Sequence, residues 1–156
     1  MPGPTVVAYW PKRTAPVTVI DVAMGKPVSS PGAYPGFAPE TSLTAGTTCY
    51  NKFEDCFCSL NNDNWVVVDL QASLPIRKVV ITGPTDRGVN FFLDVVVRAG
   101  NTGLVTDPII GTTPSTPSPN FQTYTMTIAS GNVRYIRLQY EAGIAAICFC
   151  KVQAFL

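Results

Sequence analysis

The chain has 156 residues, of which 46% are hydrophobic and 13% are charged, so it is long enough for one domain with a sizeable core. A net charge of +1 gives no electrostatic basis for binding nucleic acid. The chain contains no histidine, which excludes Ser-His-Asp and Cys-His catalysis and removes the commonest zinc ligand. No apolar run approaches the roughly 18 residues of a membrane helix, and the first ten residues lack the pattern of a secretory signal peptide.

Strand signals dominate, and Gly, Pro, Asn or Asp residues separate them. The predicted strands span residues 65–70, 76–82, 91–99, 124–128, 134–140 and 148–155. The three valines at 66–68 do not alternate with polar residues, which predicts a strand covered on both faces. In the 134–140 strand, Ile136, Leu138 and Tyr140 share one face, which predicts a core side and a solvent side. The pattern indicates an all-β sandwich or barrel.

The remaining segments read as loops. Residues 107–120 are rich in Pro, Ser and Thr, and residues 29–64 hold many turn formers. We find no convincing helical stretch. We expect residues 1–156 to form a single domain, with residues 1–20 as an N-terminal extension or an extra strand. Loops gather at the ends of such a domain, and binding usually resides there.

Six segments resemble, in order, the motifs of one known family. They are DVAMGKPV at 21–28, NWVVVDL at 64–70, IRKVVIT at 76–82, VRAGN at 97–101, RYIRL at 134–138 and CKVQAF at 150–155. Together they resemble the discoidin-like family, the coagulation factor 5/8 type C domains, and within it the fucose-binding F-type lectins. The resemblance implies a jelly-roll β-sandwich of the galactose-binding-like type.

The resemblance fails at the sugar site. F-type lectins bind fucose through one histidine and two arginines, and here Leu60 stands in place of the histidine. Pro84 and Phe91 stand in place of the two arginines, whereas Asp86 of the same loop is kept. Because hydrogen bonds to charged donors contribute about 1.5–3 kcal/mol each, their loss predicts that fucose is not the ligand.

The resemblance does not support a calcium site either. The family holds its ion partly with a Glu just after the final cysteine, where this chain has Lys151. Its Asp-containing loop aligns with residues 43–47, which contain no acidic residue. A lysine repels Ca²⁺, which binds oxygen ligands. We predict no cofactor.

Four of the five cysteines lie in two Cys-Phe-Cys tripeptides, at 56–58 and 148–150, and the fifth is Cys49. Reduced thiols, a zinc site and disulfides are the alternatives. A strand spreads the sulfurs of Cys-x-Cys apart, which disfavours a tetrahedral zinc site. Disulfides are the favoured interpretation. The family resemblance implies a ring-closing bond Cys58–Cys150, with Cys56–Cys148 or Cys49–Cys56 as the second bond.

Candidate ligand-binding residues lie in two loops. Before the first tripeptide, Tyr50 and Phe53 could stack on a sugar while Lys52 donates to its hydroxyls, or the loop could simply be solvated. In the aligned binding loop, the pair Asp86-Arg87 could bind a sugar or form a surface turn. Phe91-Phe92 could bind sugar, lipid or protein, or one of the two rings could face the core. The predicted ligand-binding set is Tyr50, Lys52, Asp86, Arg87, Asn90 and Phe91.

These observations predict a non-enzymatic lectin-like module, extracellular or at the cell surface, that binds a glycan or glycoprotein in adhesion or coat assembly. One alternative is a module that binds a phospholipid membrane surface through Phe91-Phe92 together with Lys52 and Arg87. The other is a structural module that contacts proteins of a larger extracellular assembly. No nucleic acid partner is expected.

Overall fold

The computed structural model describes residues 2–7, 10–12, 14–15, 19–46, 53–84, 89–116 and 123–156, with Val89 described for its backbone only. Within these ranges the regular structure consists of strands and short 3₁₀ turns, without an α-helix. The strands are β1 (Val28–Ser29), β2 (Phe57–Cys58), β3 (Trp65–Leu74), β4 (Lys78–Thr82), β5 (Val96–Gly100), β6 (Ile109–Thr112), β7 (Thr123–Thr127), β8 (Val133–Gln139), β9 (Cys148–Phe149) and β10 (Lys151–Phe155).

The strands form antiparallel sheets with a shared core. The five-stranded sheet has the order β1-β3-β8-β5-β6, and the three-stranded sheet has the order β10-β4-β7. Strands β2 and β9 form a separate two-stranded ribbon. One buried cluster contains side chains from both larger sheets, as expected when two sheets pack face to face. This is the predicted all-β sandwich.

The burial of β3 and β8 confirms the patterns in their sequences. Val66, Val67 and Val68 are all buried, as the non-alternating run predicted. In β8 the side chains of Ile136 and Leu138 are fully buried, while the residues between and beside them are partly exposed. Strand β8 therefore has one face in the core and one face towards solvent, whereas β3 is covered on both faces at residues 66–68.

The prediction of a strand from residue 91 is wrong in its first half. Residues Val89–Phe92 form a 3₁₀ turn, and Asp94 has a left-handed backbone with φ of 53°. The strand begins only at Val96. Left-handed backbone is incompatible with a regular strand. Phe91 and Phe92 therefore precede strand β5 and are not part of it.

Two further boundaries differ from the predicted ones. The loop predicted at 107–120 contains β6, which pairs with β5 at the edge of the larger sheet. Its sequence Ile-Ile-Gly-Thr is short and lies among turn residues, so the strand signal was weak. The predicted strand 148–155 is divided into β9 and β10, which pair with different strands. The described residues of 2–20 contain no strand.

Candidate functional site

The two Cys-Phe-Cys tripeptides lie side by side and are joined by two disulfides. Cys56 is bonded to Cys150, and Cys58 is bonded to Cys148. The disulfide interpretation is confirmed for these four residues, but the expected bonds Cys58–Cys150, Cys56–Cys148 and Cys49–Cys56 are wrong. Strands β2 and β9 are antiparallel, so the first cysteine of one tripeptide faces the last cysteine of the other. Cys49 lies outside the described residues.

A cleft of about 400 Å³ opens beside the Cys58–Cys148 disulfide. Eight residues line it: Tyr34, Phe37, Phe53, Cys58, Asn61, Phe91, Ala146 and Cys148. Four of the eight are aromatic. A cleft of this size can hold a ligand as large as a short saccharide.

The four aromatic rings form a continuous chain along the cleft. The Tyr34 and Phe37 rings meet edge to face at 5.9 Å, and those of Phe37 and Phe53 do so at 4.8 Å. Phe53 and Phe91 are nearly parallel, with ring centroids 5.9 Å apart. Tyr34 is 44% exposed and Phe91 is 39% exposed. The outer members of the chain therefore present ring surface to solvent.

Phe91 is held in place by its buried neighbour, Phe92. The Phe92 ring is fully buried and packs 5.2 Å from the rings of both Tyr124 and Phe149. Gly83 allows this packing, because a Cβ atom there would lie 2.5 Å from the Phe92 ring. Phe92 thus anchors the 3₁₀ turn in the core, and the preceding residue, Phe91, lines the cleft.

Backbone hydrogen bonds place the first two rings against β2. The Tyr34 amide donates to the Cys58 carbonyl at 2.8 Å, and the Phe37 amide donates to the Tyr34 carbonyl at 3.1 Å. Pro35 and Gly36 occupy the middle of the turn, with φ of 88° at the glycine. A proline followed by a left-handed glycine is typical of a type II turn. The sequence Tyr-Pro-Gly-Phe therefore brings two rings to the same side of the ribbon.

The opposite rim is fixed by a buried asparagine. Asn64 is 4% exposed, and its side-chain amide donates to the carbonyls of Gly143 and Ala145, both at 3.0 Å. These bonds hold the loop after β8, which brings Ala146 to the cleft. Both rims are therefore supported by hydrogen bonds to the folded core.

Two of the predicted ligand-binding residues can be placed. Phe91 lines the cleft, and Asn90 is exposed beside it. The other four predicted residues, Tyr50, Lys52, Asp86 and Arg87, lie outside the described residues. The alternative that used Phe91-Phe92 as an exposed pair is wrong for Phe92, which is buried in the core.

Sequence reasoning missed Tyr34, Phe37 and Asn61 as lining residues. A signal for the first two was present, because a Tyr-Pro-Gly-Phe turn displays two aromatic residues at its ends. Nothing in the local sequence around Asn61 distinguished it from other turn residues. Phe53, named as a candidate beside Tyr50, does line the cleft.

The described lining of the cleft carries no charged side chain. Its polar side chains are the Tyr34 hydroxyl and the Asn61 amide. Two of the positions that align with the fucose ligands of F-type lectins are carbon-rich and withdrawn from solvent, since Leu60 is partly buried and Pro84 is buried. Such a site can stack on the apolar face of a ligand and supply a few hydrogen bonds.

In the ranges that the structure describes, no three Asp, Glu, Cys or His side chains lie together as a possible metal-binding group. None of the helical segments among the same residues is long and apolar enough to cross a membrane.

The sheet topology and the burial pattern define an antiparallel jelly-roll β-sandwich, with an aromatic cleft beside its disulfide-linked ribbon. Solved structures share this fold. The lectin domain of lectinolysin, solved with the Lewis b antigen, superimposes with a TM-score of 0.71 at 18% identity, covering 87% of this chain and 96% of that domain. The F-type lectin of striped bass serum (Morone saxatilis) gives a TM-score of 0.76 at 18% identity. That match covers 88% of this chain and 49% of the fish lectin.

A third solved structure with the same fold is a carbohydrate-binding module. The family 32 carbohydrate-binding module of Clostridium perfringens NanJ, solved with galactose, gives a TM-score of 0.65 at 16% identity, covering 89% of this chain and 98% of the module. No protein-family model and no curated protein sequence matches the chain. The predicted discoidin-like, galactose-binding-like fold, near the F-type lectins, is confirmed.

Proposed function

We propose that the protein is a carbohydrate-binding module that holds a sugar in the aromatic cleft beside the Cys58–Cys148 disulfide. The observation that carries the proposal is the chain of four aromatic rings in this cleft, whose outer members Tyr34 and Phe91 are open to solvent. Soluble proteins normally bury large aromatic side chains, so a supported cluster of partly exposed rings favours a binding role.

The chemistry of the lining favours a neutral sugar. One face of a pyranose ring carries C–H groups, which pack well on an aromatic ring. The Tyr34 hydroxyl and the Asn61 amide can accept and donate hydrogen bonds to sugar hydroxyls. Because the described lining has no charged group, a charged ligand would lose hydration without gaining a partner there.

The module is proposed to act by binding and not by catalysis. The chain has no histidine, and the described lining has no carboxylate that could serve as a general acid or base. The solved structures with this fold include lectins and a carbohydrate-binding module bound to Lewis b or galactose, which supports the same role for this chain.

We place the protein outside the cell or at the cell surface, where it would bind a glycan or glycoprotein in adhesion or coat assembly. The two disulfides support this setting, since disulfides persist in oxidising compartments and are rare in the cytosol. Each of them joins segments about ninety residues apart. The folded state would depend on an oxidising environment for this long-range connection.

A glycan array followed by a calorimetric titration of the strongest neutral ligand tests the proposal. Phe91→Ala and Tyr34→Ala should each weaken binding about fivefold or more, because loss of one stacking contact costs about 1 kcal/mol. Leu104→Ala is a matched control, since Leu104 is 57% exposed but does not line the cleft. It should leave the affinity unchanged.

The alternatives give different results in the same experiments. If the protein binds no glycan on the array but sediments with lipid vesicles in a way that depends on Phe91, membrane-surface binding replaces the sugar proposal. Absence of binding in both assays would favour a structural protein–protein module. Glycan binding that is insensitive to both Phe91→Ala and Tyr34→Ala would show that the cleft is not the site.

A further inference from the structure

A cluster of charged and aromatic side chains lies on the solvent-facing side of the five-stranded sheet. We call it the arginine patch, and it comprises Trp65, Arg98, Arg137, Gln139 and Glu141. Trp65 pairs with Gln139 across β3 and β8, and Arg137 pairs with Arg98 across β8 and β5. The core residues of these strands alternate with them, which places the strand members of the patch on the outer face. None of the five lines the aromatic cleft.

The Arg137 side chain contacts uncharged partners in the patch. Its Nε and Nη2 groups donate to the Gln139 side-chain oxygen at 3.1 and 2.9 Å, and Nη1 donates to the Gly103 carbonyl at 3.1 Å. The guanidinium carbon lies 4.7 Å from the centre of a Trp65 ring. A guanidinium has about five N–H donors, so one N–H on each terminal nitrogen is left for another acceptor.

The patch has one more positive charge than negative charge. Arg98 donates from Nε and Nη2 to the two carboxylate oxygens of Glu141, at 2.7 and 3.0 Å. Arg137 forms no ion pair with a described carboxylate, although the two arginines lie directly across from each other. Like charges at such cross-strand positions destabilise a sheet. The single carboxylate of the patch is already engaged by one of the two arginines.

The charge of Arg137 is also poorly hydrated. Its removal from water is the largest influence and lowers the pKa of this guanidinium, while the nearby Glu141 raises it and Arg98 lowers it. A partly buried charge whose nearest carboxylate is hydrogen-bonded to another arginine is incompletely compensated. An anion that reached the two remaining N–H groups would complete this compensation and balance the charge of the patch.

We propose that Arg137 forms an anion subsite that takes the carboxylate or sulfate group of an acidic sugar. The remaining Nη1–H and Nη2–H groups would donate to the oxygens of the anion. Planar guanidinium groups suit such two-oxygen contacts. The subsite would extend recognition to the sheet face and does not depend on sugar binding in the aromatic cleft.

Arg134 provides a matched comparison within the same strand. It also lies over an aromatic ring, with its guanidinium carbon 5.0 Å from the centre of the Tyr135 ring. Unlike Arg137, it is neutralised by Asp69 through hydrogen bonds of 2.9 and 3.1 Å. The two arginines thus share stacking on a ring but differ in their counterion, which is the property that the proposal depends on.

The test is an NMR titration of the ¹⁵N-labelled protein with sodium sulfate or sodium glucuronate, with sodium chloride at equal ionic strength as the reference. The Arg137 Nε–H and Trp65 indole N–H signals should shift and saturate with at least one of the two oxyanions. The Trp10 indole, on an 85% exposed side chain of the N-terminal segment, provides an internal reference and should not follow them. Saturation by glucuronate alone would assign the subsite to carboxylates, and saturation by sulfate alone would assign it to sulfate.

Variants separate a binding role from a structural one. Arg137→Gln should abolish the saturable shift of the Trp65 indole signal. Arg137→Lys keeps the charge but loses the planar set of N–H donors, so it should weaken the anion affinity measured from this shift at least tenfold. Arg134→Gln should leave it unchanged. Linear shifts equal to those in chloride, seen in the unmutated protein, would overturn the proposal even if the variants fail to fold. A saturable shift that persists in Arg137→Gln would also overturn it.

Discussion

The paired disulfides should contribute to stability in a strongly non-additive way. Cys56–Cys150 and Cys58–Cys148 join positions 94 and 90 residues apart, and both close nearly the same long loop. If either bond is removed, the other still constrains the unfolded chain. The stabilisation that comes from closing the long loop in the unfolded chain is therefore lost only when both bonds are absent.

The magnitudes follow from the sizes of the two loops. In the chain-entropy model, closing a loop of about 90 residues stabilises the folded state by about 4.7 kcal/mol. Once one bond is present, the second closes a ring of about six residues, which contributes only about 2 kcal/mol. Each single removal should thus cost about 2 kcal/mol, and removal of both should cost about 7 kcal/mol.

Urea unfolding of three variants measures these costs. They are Cys56→Ala with Cys150→Ala, Cys58→Ala with Cys148→Ala, and the variant with all four changes, each compared with the oxidised parent protein. The two single-bond variants should differ in sugar binding as well, since only Cys58–Cys148 lines the cleft. If each single removal cost 4–5 kcal/mol by itself and the effects added, the shared-loop reasoning would be refuted.

Two further predictions concern the core anchor and the response to acid. Phe92→Ala should lower the unfolding free energy by about 3–5 kcal/mol, because Phe92 is fully buried, whereas Phe91→Ala should cost less than about 1 kcal/mol; equal losses in urea unfolding would contradict the assigned roles. The Arg134 guanidinium holds the pKa of Asp69 below its ordinary value, so this pair stabilises the fold above about pH 4 and its contribution is lost as the pH falls further. Asp69→Asn should therefore lower stability at pH 7 more than at pH 3, and an equal loss at both values would show that the pair does not act through ionisation.

Local patterns were sufficient where a strand carries a continuous apolar run or a clear alternation of apolar and polar residues. The valine run of β3 correctly predicted burial on both faces and the alternation of β8 correctly predicted burial on one, because side chains alternate across a strand whatever its partners are. The same reasoning was insufficient for Ile109–Thr112, which is short and becomes a strand only by pairing with β5. It was also wrong for residues 91–95, where anchoring of Phe92 in the core overrides the high strand propensity of phenylalanine.

The candidate site was only partly accessible to sequence reasoning. Phe91 and Phe53 were named as candidates, but the cleft exists because the turn at Tyr34 and Phe37 folds back onto β2. That contact joins segments that are separated along the chain and is formed by backbone hydrogen bonds, which carry no side-chain signature. The surroundings of Arg137 were likewise hidden, since they come from three strands.

The sequence by itself determined the all-β class and the discoidin-like resemblance, because both depend on residue identity and on short-range periodicity. It also placed four cysteines in two identical tripeptides. Only the tertiary structure decided how those cysteines pair and which rings surround them. The antiparallel direction of β2 and β9 reverses one tripeptide against the other, so Cys56 meets Cys150 and Cys58 meets Cys148. Strand direction is a property of the whole fold, and the same tripeptides in parallel strands would have paired the other way.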